Sequence, residues 1–216
     1  MKEKKVPLHR RIRREKHREI AKLQDMVVET LYRVFPKSVL HGGTAIWRCY
    51  SGNRFSEDVD VYMKKDVKAL DRLFEELKRA GFEVAKKRVT KNSLYSVLSF
   101  GETEIRLEAL FQAVKGVVRE YETYEGVLFN VFTLLPEEMI AEKIAAYLKR
   151  RKIRDLYDIF FLLRHVMSAE KVKPDLVKLL EEYEEPVDER ELRTLVIFGA
   201  VPTSRDIIEY IRRWAK

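Results

Sequence analysis

The run Asp58-Val59-Asp60-Val61-Tyr62-Met63 alternates polar and apolar side chains. A period of two is the pattern of a β-strand with one buried face. Val59, Val61 and Met63 then belong to a covered face, and Asp58 and Asp60 both project from the opposite one. Upstream, residues 38–41 read as a short apolar strand running into Gly42-Gly43, followed by a helical stretch over 44–50 and a turn at Ser51-Gly52-Asn53. The resulting order is strand, glycine pair, helix, turn, strand.

Around this centre the pattern predicts a mixed α+β half. Residues 8–35 read as one helix, since Ile20, Leu23, Val27 and Leu31 recur at helical spacing and Pro36 ends the run. Asp66 can cap a helix whose apolar stripe is Leu70, Leu73, Phe74 and Leu77, with Gly81 as its stop. Strands are expected over 82–90, 94–100 and 103–111, and as a pair 117–124 and 127–134 turning at Glu125-Gly126. From Pro136 onward the pattern is helical, over 136–150, 153–166, 174–183, 189–198 and 204–216, with Pro136 and Ser204 as starts. The expected division is an α+β domain of residues 1–135, opening on a basic helix, and a helical domain of residues 136–216.

Composition narrows the chemistry. No apolar run approaches the roughly 18 residues of a membrane span, and no apolar stretch of about 7–15 residues follows the basic N-terminus as in a secretory signal. A soluble, cytoplasmic protein is expected. Cys49 is the single cysteine, and His9, His17, His41 and His165 are too scattered for a zinc site, so any metal is expected on carboxylates. The formal net charge of +8 suits a polyanionic partner such as RNA or a nucleotide. Much of the excess is an N-terminal arm, Lys2, Lys4, Lys5, Arg10, Arg11, Arg13, Arg14, Lys16 and Arg18 against Glu3 and Glu15, which equally fits a solvated helix face. Abundant Lys, Glu and Arg beside two glutamines and three asparagines reads as thermophile composition.

The first constellation is His41-Gly42-Gly43-Thr44 followed by Asp58-x-Asp60. Two carboxylates on one strand face can hold one or two Mg2+ ions against a triphosphate. A glycine turn lets backbone N–H groups approach a phosphate, and Thr44 adds a hydroxyl. Either piece alone is most often a plain turn or a surface pair. Arg48, Arg54 and Ser56 lie between the two and could reach phosphate or base, although surface arginine is common. His41, on a buried strand, suits a structural role.

The second constellation joins Lys143, which falls inside the apolar stripe Met139, Ile140, Ile144, Tyr147 and Leu148, to Asp155 and Asp158 on the following, almost wholly apolar helix. Buried carboxylates are costly unless paired or serving a site, and Lys143 is the obvious partner. The alternatives are a lysine whose ammonium reaches water, an ion pair that merely docks two helices, or an Arg154–Asp158 surface pair.

The segment HGGTAIWRCYSGNRFSEDVDVYM resembles the first motif of the polymerase-β-like nucleotidyltransferases. More narrowly, GGTAIWR with Arg54, Ser56, Asp58 and Asp60, and Glu142-Lys143 with the later Arg154-Asp155-Leu156-Tyr157-Asp158, resemble the AbiEii toxin family. The resemblance implies a polymerase-β-like core with a mixed sheet followed by a helical region, and a Mg2+-dependent transfer of a nucleoside monophosphate from an NTP to a hydroxyl. It implies Asp58, Asp60, Lys143 and Asp158 as catalytic, Gly42, Gly43, Thr44, Arg54, Ser56 and Asp155 as nucleotide-binding, and a third metal carboxylate beside Asp58 and Asp60. Glu108 is preferred to Glu104 for that place, against a solvent-facing pair of Glu108 with Arg106. A toxin with a tRNA acceptor end as substrate and a separately encoded antitoxin as partner is the further implication. An enzyme of the same fold that attaches AMP to a partner protein, a non-catalytic RNA-binding module and a purely antitoxic or structural role are the alternatives.

Overall fold

The computed structural model describes residues 6–216, so Lys2, Glu3, Lys4 and Lys5 of the basic arm lie outside the described residues. Contacts gather the chain into two units: the described residues up to Ser51 together with Phe55–Leu134, and Gly52–Arg54 together with Leu135–Lys216.

The first unit is α+β. Its elements are α1 (Leu8–Arg11), α2 (Glu15–Val34), β1 (Val39–His41), α3 (Gly42–Cys49), β2 (Val59–Tyr62), α4 (Val67–Arg79), β3 (Glu83–Val89), β4 (Ser93–Phe100), β5 (Thr103–Leu110), β6 (Val117–Glu122) and β7 (Leu128–Thr133). The strands form one mixed sheet in the order β3-β4-β5-β2-β1-β7-β6. The pairs β2/β5 and β1/β7 are parallel and the others antiparallel. Val59, Val61, Leu98, Ile105, Leu107 and Leu40 are buried, as are Leu23, Val27 and Leu31 of α2 and Leu70, Leu73 and Leu77 of α4. Each such side chain contributes about 1.5–3 kcal/mol on burial. A slip of one residue in β2 would put Asp58 and Asp60 among them, so the core itself fixes the direction of the carboxylates.

The expected helix over 8–35 is broken. Ile12 and Arg14 take extended backbone angles between α1 and α2. Leu8 and Ile12 are both buried, Arg11 pairs with Glu122 at 2.6 Å, and the Arg18 guanidinium donates to the Ile12 carbonyl at 3.0 Å. Those contacts satisfy the break. Asp66 caps α4 through the Ala69 N–H at 3.0 Å, as its sequence suggests.

The second unit is almost entirely helical: α5 (Pro136–Arg150), α6 (Ile153–Leu162), a short 3-10 turn (Leu163–His165), α7 (Ala169–Glu181), a second turn (Glu189–Glu191), α8 (Leu192–Leu195) and α9 (Ser204–Trp214). Pro136 opens α5, and the Glu138 carboxylate accepts the Leu135 N–H at 2.8 Å. Pro174 does not start a helix as expected but lies inside α7, whose buried stripe of Val172, Leu176 and Leu179 extends past it. The expected helix over 189–198 shrinks to a turn and α8. Beyond it Val196 bridges Arg54 and the Ile197 N–H donates to the Asn53 carbonyl at 2.8 Å. Thr203, one residue before the expected start, caps α9 in a reciprocal box with Asp206. Among the described residues no helix is long and apolar enough to cross a membrane.

Candidate active site

The register of the first unit's sheet builds a polar row. His41 of β1 faces Asp60 of β2, Asp60 faces Glu108 of β5, Glu108 faces Tyr95 of β4, and Tyr95 faces Arg88 of β3. Glu108 is therefore the strand neighbour of Asp60, whereas Glu104 pairs with Ser99 two pleats away. Burial first, and then the charges of Asp60 and Asp58, push the Glu108 carboxyl above the ordinary carboxylate range. The two aspartates thus favour the protonated form of the Glu108 carboxyl.

The glycine pair opens α3 directly against this row. Gly42 sits at φ +68°, and a Cβ placed on it would lie 2.5 Å from Asp60 Oδ2. Only glycine allows that approach. Thr44 is fully buried, and its hydroxyl donates to the Asp58 carbonyl while accepting from Gln24 Nε2 at 3.3 Å. Gln24 also donates to the Ser56 carbonyl at 2.7 Å. The hydroxyl expected at a phosphate instead ties α3 to the strand that carries the aspartates, and Gln24, which no motif signalled, completes the tie.

Asp58 has a partner of its own. Arg106 Nε donates to Asp58 Oδ1 at 2.6 Å and Nη2 to Oδ2 at 2.9 Å. Arg106 thus pairs with Asp58 and not with Glu108. The two line a cleft of about 580 Å³ together with Tyr95, Val97 and Glu104.

In the second unit Lys143 Nζ lies 2.8 Å from Asp158 Oδ2 and 3.6 Å from Asp155 Oδ1. Arg54 holds Asp158 with both Nε and Nη2 at 2.8 Å, and Arg150 holds Asp155 with both at 2.7 Å. Burial alone would raise the Asp158 carboxyl, but Arg54 and Lys143 outweigh it and hold the group at about 2. The partner of Asp158 is Arg54 from a distant segment and not the adjacent Arg154. Arg54 is nearly buried with its fork committed to a carboxylate, which replaces the expected direct grip on phosphate.

A family model described as nucleotidyl transferase AbiEii toxin, type IV toxin–antitoxin system, matches residues 29–206. The chain belongs to that family. It is accordingly a nucleotidyltransferase enzyme. No curated protein matches the chain. Among solved structures it is similar to the nucleotidyltransferase toxin MenT4 of Mycobacterium tuberculosis H37Rv, with 18% identity over 93% of this chain and 87% of that one and a TM-score of 0.62. It is similar also to JHP933 of Helicobacter pylori, with 22% identity over 94% and 91% and a TM-score of 0.64. Both likenesses support the nucleotidyltransferase-like α+β fold.

Within this AbiEii-family chain, Asp58, Asp60, Glu108, Gly42, Gly43 and Thr44 come together in the first unit, and Arg54, Lys143, Asp155 and Asp158 in the second. Arg48 belongs to neither group. It is buried, donates to the carbonyls of Ala21 and Glu122 at 2.7 and 3.1 Å, lies 3.2 Å from Asp25, and stacks 4.2 Å from the Trp47 ring. Its role is to hold the core. Sequence reasoning also missed Arg150, although its position five residues before Asp155 makes the pair local.

Among the described residues no group of three or more His, Cys, Asp or Glu side chains is already arranged to hold a metal ion. The chemistry of the row nevertheless suits one. Asp58 and Asp60 share a face, Glu108 adjoins Asp60, all three offer hard oxygen donors, and Gly42, having no Cβ, makes room for the Asp60 carboxylate.

Proposed function

We propose that the chain transfers a nucleoside monophosphate from an NTP to a hydroxyl of an RNA acceptor, with the tRNA 3′ end as substrate and Mg2+ on Asp58, Asp60 and Glu108. The observation that carries this reading is the register that sets Glu108 beside Asp60 with Gly42 pressed against the same carboxylate. When bound, Mg2+ supplies charge neutralisation of the triphosphate and polarisation of the reacting oxygens. Gly42 and Gly43 bring backbone N–H groups of the α3 N-terminus toward phosphate. Thr44 and Ser56 act through their bonds to Asp58 and Gln24, keeping the aspartate strand in place. Lys143 serves as a cation for the phosphates, its ammonium oriented by Asp158 and Asp155, and Arg54 holds Asp158 in its ionised form. The acceptor oxygen attacks the α-phosphorus as the bond to the β-phosphate oxygen breaks, the acceptor proton passes to a carboxylate of the row, and pyrophosphate leaves. A separately encoded antitoxin, which the toxin–antitoxin family supports, and a cytoplasmic site of action belong to the same proposal.

The test is transfer of each α-labelled NTP onto total tRNA with Mg2+, comparing wild type with Asp60→Ala. Label on tRNA, reduced on the order of a hundredfold or more in the variant, is expected. Label on protein in place of RNA would move the acceptor to a protein side chain, and no label with any nucleotide would refute the transfer.

A further inference from the structure

Among the described residues three arginine–aspartate pairs share the same two-pronged geometry, and the exposure of the carboxylate separates them: the side chains of Asp155 and Asp158 are 0% and 1% exposed and that of Asp58 22%. The Arg54–Asp158 pair has side chains only 6% and 1% exposed, while those of Arg106 and Asp58 are 45% and 22% exposed. A buried pair cannot open without stranding two charges, whereas a half-exposed one can exchange partners at small cost. The pair that can open is the one holding a carboxylate of the active row.

Arg106 reaches Asp58 by register. Val59 pairs in parallel with Leu107, and one residue earlier on each strand Asp58 lies beside Arg106. The fork takes both oxygens of Asp58, so neither points its full donor capacity toward Asp60. Among the described residues no acid trio is already arranged to hold a metal ion, although Asp60 and Glu108 are strand neighbours. The charges agree. Asp58, Asp60 and Glu108 together carry up to three negative charges, and Arg106 offsets one of them.

We propose that Arg106 is a positioning residue that competes with the divalent cation for Asp58. Without metal it holds the carboxylate in line with the strand and relieves the repulsion along the row; metal binding exchanges the guanidinium for the ion at the same two oxygens. The inference rests on the reading that Asp58, Asp60 and Glu108 take a divalent cation.

The experiment measures binding of Mn2+ alone to the full chain, without nucleotide, by calorimetry and by loss of the free Mn2+ electron-spin signal at fixed pH and ionic strength. Arg106→Gln is expected to bind Mn2+ roughly three- to tenfold more tightly than wild type. Arg106→Lys, which keeps the charge but loses the fork, should fall between them and guards against a folding defect in the first variant. Asp60→Asn should abolish binding in either background. If Arg106→Gln binds Mn2+ no more tightly than wild type while Asp60→Asn still abolishes binding, Arg106 does not compete, and the metal site stands without it. If neither wild type nor Arg106→Gln binds Mn2+ at millimolar concentration, the metal reading falls and the inference with it.

Discussion

Replacing Gly42 by alanine tests the approach of α3 to the carboxylate row, and the structure sets its size. The residue sits at φ +68°, where an L side chain is strained by roughly 1–2 kcal/mol. Alanine also stiffens the unfolded chain, which offsets about 0.4–1 kcal/mol of that loss. Without the collision the net destabilisation is then about 0–1.6 kcal/mol, a fall in Tm of up to about 6 °C for a chain of this length. Activity should suffer far more. The added Cβ would stand 2.5 Å from Asp60 Oδ2, so the carboxylate must retreat by about 0.5–1 Å, and a displacement of that order at a reacting centre can cost up to about a hundredfold in rate. Gly101→Ala is the control, because Gly101 has φ +58° and a Cβ added there would meet nothing within 4 Å, so it carries the same strain without the collision. The pair is assayed by thermal unfolding and by labelled-nucleotide transfer. A loss of Tm at least as large in Gly42→Ala as in Gly101→Ala, with activity lost only in Gly42→Ala, is expected. If Gly42→Ala kept more than about a third of wild-type kcat/KM, the close approach would have no bearing on catalysis.

Asp158→Asn removes the buried carboxylate that Arg54 and Lys143 share, and should cost about 3–5 kcal/mol in denaturant unfolding. Because the folded Asp158 carboxyl is held at about 2, below its unfolded value near 4, its stabilisation is complete above about pH 4 and is lost as pH falls toward 2; the wild-type acid-unfolding curve should be steeper in that window than that of the variant, and parallel curves would contradict the assignment. Arg48→Met removes the cation beside Asp25, whose carboxyl burial already raises against the pull of Arg48. Stability should fall by a few kcal/mol with the Kd for NTP, read by equilibrium binding, unchanged within about twofold, whereas a tenfold weaker Kd would return Arg48 to the nucleotide site.

What the sequence made legible was local. The alternation of 58–63, the glycine pair before a helix and the proline opening α5 each depend on neighbours within a few residues, and each appears in the fold. The break at 12–14 was hidden because Leu8 and Ile12 are four apart and keep helical spacing across it, while the contacts that stabilise it come from Glu122. Pro174 misled for the opposite reason: a local stop signal was overridden by the buried stripe of α7. Arg48 looked like a phosphate ligand because its actual partners, Asp25 and the backbone near Glu122, lie 23 and 74 residues away in the chain. Nothing in its own segment distinguishes a core arginine from a site arginine.

The same limit explains how the acids sort into roles. Asp58, Asp155 and Asp158 all sit on apolar elements and each is gripped by a bidentate arginine, so residue type and spacing give them equal standing. Burial decides between them. Asp155 and Asp158 are sealed among three cations from two segments of the second unit, Arg54 on one and Lys143 and Arg150 on α5, which holds both carboxylates in place. Asp58 keeps an accessible face and shares its strand side with Asp60 and Glu108, whose carboxyl burial and the two aspartates push up. The proposed exchange of Arg106 for a cation needs that accessibility at Asp58, and the proposed orientation of Lys143 by Asp158 does not. The division of labour among the three follows from where the apolar core closes over them.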